Sequence, residues 1–208
     1  LTPDLLLHAY SVGVFPMAES RDDPEVFWVD PKRRGVFPIG GFRLSRSLTK
    51  TLRRGEYEIA VNRDFAAVLD GCADREETWI NPEIRARYID LHNQGNAHSL
   101  EVYHAGMLTG GVYGVALGGA FFGESMFSRR RDASKIALTY LMDRLQQTGF
   151  TLCDTQFLTP HLASLGAIEI TRASYRRQLR DALDIAADFT VAELPDPQVL
   201  VQRMTQTS

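Results

Sequence analysis

Apolar and polar positions alternate along the chain with two periods, and the changes of period mark the elements. Residues 4–12 carry Leu5-Leu6-Leu7 and Tyr10 at helical spacing, so a short helix is predicted there, ended by Gly13. Residues 14–40 are broken by Pro16, Pro24, Pro31 and Pro38, which suits short strands and loops. Residues 45–54 read as a basic helix closed by Gly55, and Tyr57–Val61 as a strand. Asn62 is predicted to cap a helix running to about Asp70. Asn81, Pro82 and Gly95 bracket the next helix as cap, first residue and terminator. Residues 98–104 and 107–116 predict a hairpin about Ala105-Gly106, followed by a strand over Ala120–Glu124. Asp132 is predicted to cap a helix to about Gln147, in which Ala133, Ile136, Ala137, Tyr140, Leu141 and Leu145 recur with helical period. Beyond it the pattern predicts a strand over Phe150–Gln156, a short helix over 160–165 and a strand over Ile168–Ile170. A last helix is predicted over 174–187, capped by Ser174, and the tail from Asp188 shows few signals of order.

An antiparallel meander followed by helix, strand and helix predicts an α/β (α+β) chain: a mixed, mostly antiparallel sheet with helices packed on it. The proline-rich beginning suggests a small N-terminal lobe, residues 1–30, with the break anywhere in 30–60 and the main domain over 31–208. No internal repeat or low-complexity segment interrupts this order.

Composition narrows the class. The 208 residues are 44% hydrophobic and 24% charged, the balance of a globular chain rather than a disordered one. Two cysteines, Cys72 and Cys153, are too few for a disulfide framework or a four-thiolate zinc site, which points to a reducing compartment. No apolar run approaches the ~18 residues of a membrane span. The sequence opens on Leu1 rather than Met, so a targeting segment ahead of it stays open.

Net charge is −3, but its distribution is uneven. Lys32, Arg33, Arg34, Arg43, Arg46, Lys50, Arg53 and Arg54 fall between Pro31 and Gly55 with no acid among them. The remainder holds 15 basic and 26 acidic side chains. Such segregation predicts either a positive surface for a polyanion or a basic face paired with acids elsewhere in the fold. Arg129, Arg130, Arg131 and Lys135 form a second cluster.

Three side chains carry candidate chemistry. Glu124 ends an apolar strand, Phe121-Phe122-Gly123-Glu124, where a carboxylate needs a partner: a ligand's ammonium group, or backbone or arginine. Strand alternation puts Phe150, Leu152, Asp154 and Gln156 on one face, apolar and then abruptly polar. Asp154 and Gln156 could there touch through one hydrogen bond and orient an amine, or form a satisfied buried pair. Ser125 lacks the Gly-x-Ser-x-Gly frame of a nucleophile elbow. The five histidines (8, 92, 98, 104, 161) have no metal spacing, and no phosphate-binding glycine loop of P-loop or dinucleotide type is present. Trp28 and Trp79 suit either core packing or a pocket wall.

Longer blocks of sequence add a resemblance. Leu5-Leu6-Leu7-His8-Ala9-Tyr10 through Phe15-Pro16-Met17, Phe27-Trp28, Ser45-Arg46-Ser47-Leu48, Thr78-Trp79-Ile80, Ala97-His98-Ser99 and Gly110-Gly111-Val112-Tyr113-Gly114 resemble leucyl/phenylalanyl-tRNA–protein transferases. Gly123-Glu124-Ser125-Met126-Phe127-Ser128 with Ala133-Ser134-Lys135, then Asp154-Thr155-Gln156, His161 and Ser164-Leu165-Gly166-Ala167, continue the match in order over about residues 1–180. The resemblance implies a bacterial cytoplasmic enzyme that moves Leu or Phe from aminoacyl-tRNA to the N-terminal Arg or Lys of a protein. The product is marked for degradation by the N-end rule.

It also implies a main domain like the GCN5-type N-acetyltransferase fold, no cofactor, no metal and a monomer. Carried over residue by residue, Asp154, Gln156 and Glu124 are catalytic. Trp28, Trp79, Tyr10, Phe127, Thr159 and His161 bind substrate; the charge segregation, with tRNA as the polyanion, assigns its phosphates to Arg43, Arg46, Lys50, Arg53 and Arg54. The chain has Phe27-Trp28 where the family often has two tryptophans, and Asp132 or Thr159 where it often has Asn.

Two other classes compete. An acyl-CoA N-acyltransferase would need a backbone loop for the pyrophosphate, but Ser128–Ser134 contains no glycine. A non-catalytic RNA-binding module would need no Glu124, Asp154 and Gln156 beside an apolar pocket.

Overall fold

The computed structural model describes residues 1–206. A seven-stranded sheet forms the centre. In chain order its strands are β3 (Arg33–Phe37), β4 (Glu58–Val61), β5 (Ala97–His104), β6 (Met107–Leu117), β7 (Ala120–Ser128), β8 (Leu152–Gln156) and β9 (Ile168–Thr171). Two short strands, β1 (Phe15–Met17) and β2 (Phe27–Val29), pair with each other outside it. The spatial order is β4-β5-β6-β7-β8-β3-β9, antiparallel throughout except for the parallel pair β7–β8. A parallel neighbour requires a crossover, supplied by α5 (Ala133–Gln147).

One face of the sheet is covered by α2 (Arg46–Arg54), α5 and α8 (Pro197–Gln206), around Leu48, Leu52, Ile136, Leu141, Leu145, Phe121 and Leu200. The other carries α1 (Pro3–Ser11), α3 (Phe65–Ala73), α4 (Pro82–Asn93) and α7 (Arg172–Leu183), around Leu6, Tyr10, Val68, Ile84, Tyr88, Phe122 and Tyr175. Leu6, Tyr10 and Phe15 therefore share a core with the main sheet.

Local signals explain most boundaries. Ser45 Oγ accepts the Leu48 N–H and Gly55 is left-handed, so α2 begins and ends where the sequence predicts. Asn81 caps α4 with Pro82 in its first turn, and Ala105-Gly106 turns the β5–β6 hairpin with both φ positive. Other expectations need correction. Asn62 caps nothing: its φ is 55° and its amide binds the His98 ring and the Ser99 N–H, while Asp64 caps α3. Asp132 precedes α5 but gives it no side-chain cap, and Thr171 rather than Ser174 caps α7. The tail is ordered through Gln206, and residues 207–208 lie outside the described residues: Asp196 Oδ1 accepts the Gln198 and Val199 N–H groups, and α8 buries Leu200, Val201 and Met204.

Two β-bulges shape the centre. Across β6–β7, Tyr113 pairs with Ser125 and Gly114 with Gly123, which leaves Glu124 as the extra residue. The side-chain alternation slips there: Phe121 and Met126 pack on the α5 face, Phe122 and Phe127 on the opposite face. Across β3–β8, Gly35 pairs with Gln156 and Val36 with Asp154, which leaves Thr155 extra. The parallel β7–β8 register ends at Phe122–Asp154, so the two strands part just where both are bulged.

Candidate active site

Where β7 and β8 part, a cavity of about 110 Å³ opens on the α5 side. Its walls include Phe37, Val112, Met126, Leu138, Leu141 and Leu162, with Glu124 as its acidic group. Cys153 also lines it, but burial pushes that thiol's pKa up, and Cys72 is pushed up to about 12 for the same reason. Neither is a thiolate at neutral pH, so neither is a nucleophile.

The bulge turns Glu124 toward the opposite face, where two phenols hold it. Oε1 accepts from Tyr10 Oη at 2.6 Å and from Gln156 Nε2 at 3.2 Å, and Oε2 accepts from Tyr88 Oη at 3.0 Å. The two hydroxyls also lie against each other, so their two protons are shared among three contacts. Burial raises the Glu124 pKa to about 7, against the pull of these donors, and Asp154 adds to the rise. Burial first, and the Glu124 charge second, raise Tyr10 and Tyr88 well above the ordinary phenol range, so both act as donors.

Asp154 is fully buried beside an equally buried Arg34. Arg34 Nε and Nη2 donate to the carboxylate at 3.0 and 2.6 Å, Tyr175 Oη at 2.7 Å, and the Gln156 backbone N–H at 2.7 Å. Burial works against the Arg34 charge, yet the Asp154 carboxylate holds its pKa above the usual value. Gln156 sits at φ 65°, a left-handed conformation that costs a non-glycine residue about 1–2 kcal/mol. Asp154 and Gln156 thus touch, but through the glutamine's main chain. The amide side chain has left the pleat and reaches Glu124.

Residues 36–180 match the family described as "Leucyl/phenylalanyl-tRNA protein transferase", and residues 1–32 match its N-terminal domain. The leucyl/phenylalanyl-tRNA–protein transferase of Ruegeria sp. (strain TM1040) is 72% identical over 208 residues, covering 100% of this chain and 99% of that one. That of Cereibacter sphaeroides (strain ATCC 17025) is 63% identical over 209 residues, covering 100% and 98%. The chain belongs to the leucyl/phenylalanyl-tRNA–protein transferase family.

As a member of that transferase family it is an aminoacyltransferase. The crystal structure of FemX shares its fold, with a TM-score of 0.53 at 11% identity, covering 81% of this chain and 66% of that one.

The remaining sequence-predicted residues are dispersed. Trp79 stacks edge-on against Tyr88, one shell behind Glu124. Phe127 is buried over Gly71, where an added Cβ would meet its ring at 2.7 Å. Thr159 caps α6 (Pro160–Ser164), which carries the exposed His161, and Leu162 of that turn reaches the cavity. Trp28 is 41% exposed and lines a separate groove with Leu1, Leu5, Pro24, Val26 and Glu83.

The basic stretch is divided by the fold. Arg34 is internal, and Arg33 pairs with Glu169. Arg46, Lys50, Arg53 and Arg54 line one exposed groove on α2, and Arg43 is exposed ahead of them. Among the described residues none of these five side chains forms an ion pair. The Arg43 N–H donates to Leu165 O, and Leu165 N–H to Leu162 O, which ties this cationic surface to the cavity wall. Among the described residues no group of His, Cys, Asp and Glu could hold a metal, and no helix is long and apolar enough to cross a membrane. Arg34, Tyr88 and Tyr175 belong to the site but were not singled out by sequence. Arg34 was hidden in a run of surface cations, and the tyrosines bore no local signal.

Proposed function

We propose that the chain moves Leu or Phe from aminoacyl-tRNA to the N-terminal Arg or Lys of acceptor proteins, as a cytoplasmic monomer whose products enter N-end-rule degradation. The observation that carries this reading is the apolar cavity between the parted strands, with Glu124 and Gln156 joined at its edge. The cavity receives the Leu or Phe side chain and rejects charged ones through the cost of desolvation. It separates similar apolar groups by only about 1–3 kcal/mol per methylene. The α2 groove takes tRNA phosphates. Residues 1–30 serve as a small lobe bringing Tyr10 to Glu124, and 31–208 as the catalytic domain.

The aminoacyl ester is already activated. The acceptor amine attacks its carbonyl carbon, a C–N bond forms, the C–O bond to the ribose breaks, and the ribose oxygen leaves with a proton. The amine gives up one proton in that exchange. With a pKa of about 7.7–8.0 an α-amine is partly free at neutral pH, so positioning supplies most of the rate. Glu124 and Gln156 together present an acceptor and an amide to that amine.

The test incubates the purified protein with Leu-tRNA and an Arg-starting peptide, with acetyl-CoA as the parallel donor, and reads peptide mass. Addition of one leucyl residue from Leu-tRNA alone is expected. Acetylation of the peptide, or an unmodified peptide, would overturn the reading.

A further inference from the structure

We infer that Arg34, Tyr175 and Gly35 are positioning residues: they lock the Asp154 carboxylate in place and through it hold Gln156 against Glu124, leaving Glu124 as the carboxylate that exchanges a proton. The inference rests on the aminoacyl-transfer reading for its catalytic half, and on geometry alone for the rest.

Asp154 has no room to act as a base. Oδ1 takes Arg34 Nε at 3.0 Å and the Gln156 N–H at 2.7 Å, while Oδ2 takes Arg34 Nη2 at 2.6 Å and Tyr175 Oη at 2.7 Å. A carboxylate offers about four lone-pair sites, and all are used. The guanidinium lies between the rings of Phe15 and Tyr175, 4.6 and 4.3 Å from their centroids, and Nη1 donates to Gly13 O. A proton on Asp154 would displace a donor and strand a buried arginine charge.

What Asp154 does instead is visible at Gln156. Its oxygen anchors the Gln156 N–H at the bulge, and the left-handed backbone there sends the amide side chain to Glu124. The bulge needs a glycine opposite: a Cβ at Gly35 would meet Thr155 Oγ1 at 2.6 Å, Phe157 C at 2.7 Å and Leu158 N at 2.8 Å. Glu124 is also buried and hydrogen-bonded, but its surroundings differ from those of Asp154. It borders the cavity, and it is faced by neutral phenols: Tyr10 of α1, Tyr88 of α4 and Tyr113 of β6. The charged groups that act on it are Asp154 of β8 and Arg34 of β3.

The experiment has two arms. Carboxyl 13C titration of the wild-type protein from about pH 5 to about pH 9 follows Glu124 directly, without turnover. Glu124 is expected to titrate in that window, and a flat Glu124 overturns the inference. The second arm measures single-turnover transfer and Leu-tRNA affinity for Tyr175→Phe, Gly35→Ala and Arg34→Lys, each checked for wild-type circular dichroism. Tyr175→Phe keeps the ring on the guanidinium and removes one donor; Gly35→Ala crowds the bulge. Rates falling ~10-fold at unchanged Leu-tRNA affinity are expected, with Arg34→Lys at least as low. Wild-type rates in folded Tyr175→Phe and Gly35→Ala would overturn the inference and make Arg34–Asp154–Tyr175 a purely structural cluster. Absence of transfer by the wild-type protein would instead sink the transfer reading, and the titration arm would still decide Glu124.

Discussion

Gln156 Nε2 donates to Glu124 Oε1 across 3.2 Å, closing the gap between two strands that have stopped pairing with each other. Both residues sit at bulges, Glu124 as the extra residue of β7 and Gln156 just after the extra residue of β8. The contact therefore depends on two departures from regular strand geometry.

Glu124 should make stability depend on pH. Its folded pKa of about 7 lies above the ordinary 4.5 because burial disfavours the charge. A raised carboxylate stabilises the fold fully below the unfolded value and loses that contribution as pH climbs through the folded one. Between about pH 5 and about pH 8 the wild-type protein should lose up to roughly 3 kcal/mol that Glu124→Gln does not lose. Denaturant unfolding of both proteins at the two pH values measures the difference; equal losses would mean that Glu124 titrates normally.

The cavity should set donor choice. Leu138 is 5% exposed and forms part of its wall. Leu138→Ala should widen it and raise the Phe-to-Leu ratio of kcat/KM by ~10-fold, within the range a few methylenes give. Competition between Phe-tRNA and Leu-tRNA for one acceptor peptide reads the ratio, and an unchanged value would place donor recognition elsewhere.

The α2 groove should act through phosphates. Arg46→Glu, Lys50→Glu and Arg53→Glu together should raise the apparent KM for tRNA well over ~10-fold and flatten its dependence on salt. Leu48 and Leu52 hold the helix from its other side, so the fold should persist. Wild-type affinity in a filter-binding titration across salt concentrations would remove tRNA from this surface.

The last helix should be part of the core. Leu200 is fully buried between α2 and α5, so Leu200→Ala should cost about 2–5 kcal/mol in unfolding free energy. A change below ~0.5 kcal/mol by denaturant titration would show that α8 is dispensable.

The sequence revealed elements whose ends are chemically marked and whose partners are near. Ser45 and Gly55 bracket α2, Asn81 and Pro82 open α4, and Ala105-Gly106 turns a hairpin, all through contacts within a few residues. Asn62 misled because the same side chain that caps helices also suits a left-handed turn, and its bonds to His98 and Ser99 lie 36 and 37 residues away. The α8 helix escaped because its buried stripe is three residues, Leu200, Val201 and Met204, too few to establish a period.

At the site, Glu124, Asp154 and Gln156 could be named from residue type and family resemblance, but their division of labour could not. Arg34 reads as one more cation beside Lys32 and Arg33. Its burial follows from Asp154, 120 residues on, and from the rings of Phe15 and Tyr175. Strict alternation put the Gln156 side chain beside Asp154; a bulge, invisible in sequence, sends it to Glu124 instead.

The most direct test of the account is single-turnover transfer of leucine to an Arg-starting peptide by Gln156→Ala, with Leu-tRNA saturating. Removing the amide breaks the Glu124–Gln156 contact but leaves the cavity wall and the α2 groove untouched. The account predicts a rate lower by ~10²-fold or more at unchanged Leu-tRNA affinity. A near wild-type rate would contradict it, and would mean that holding the two substrates together is all the parted strands provide.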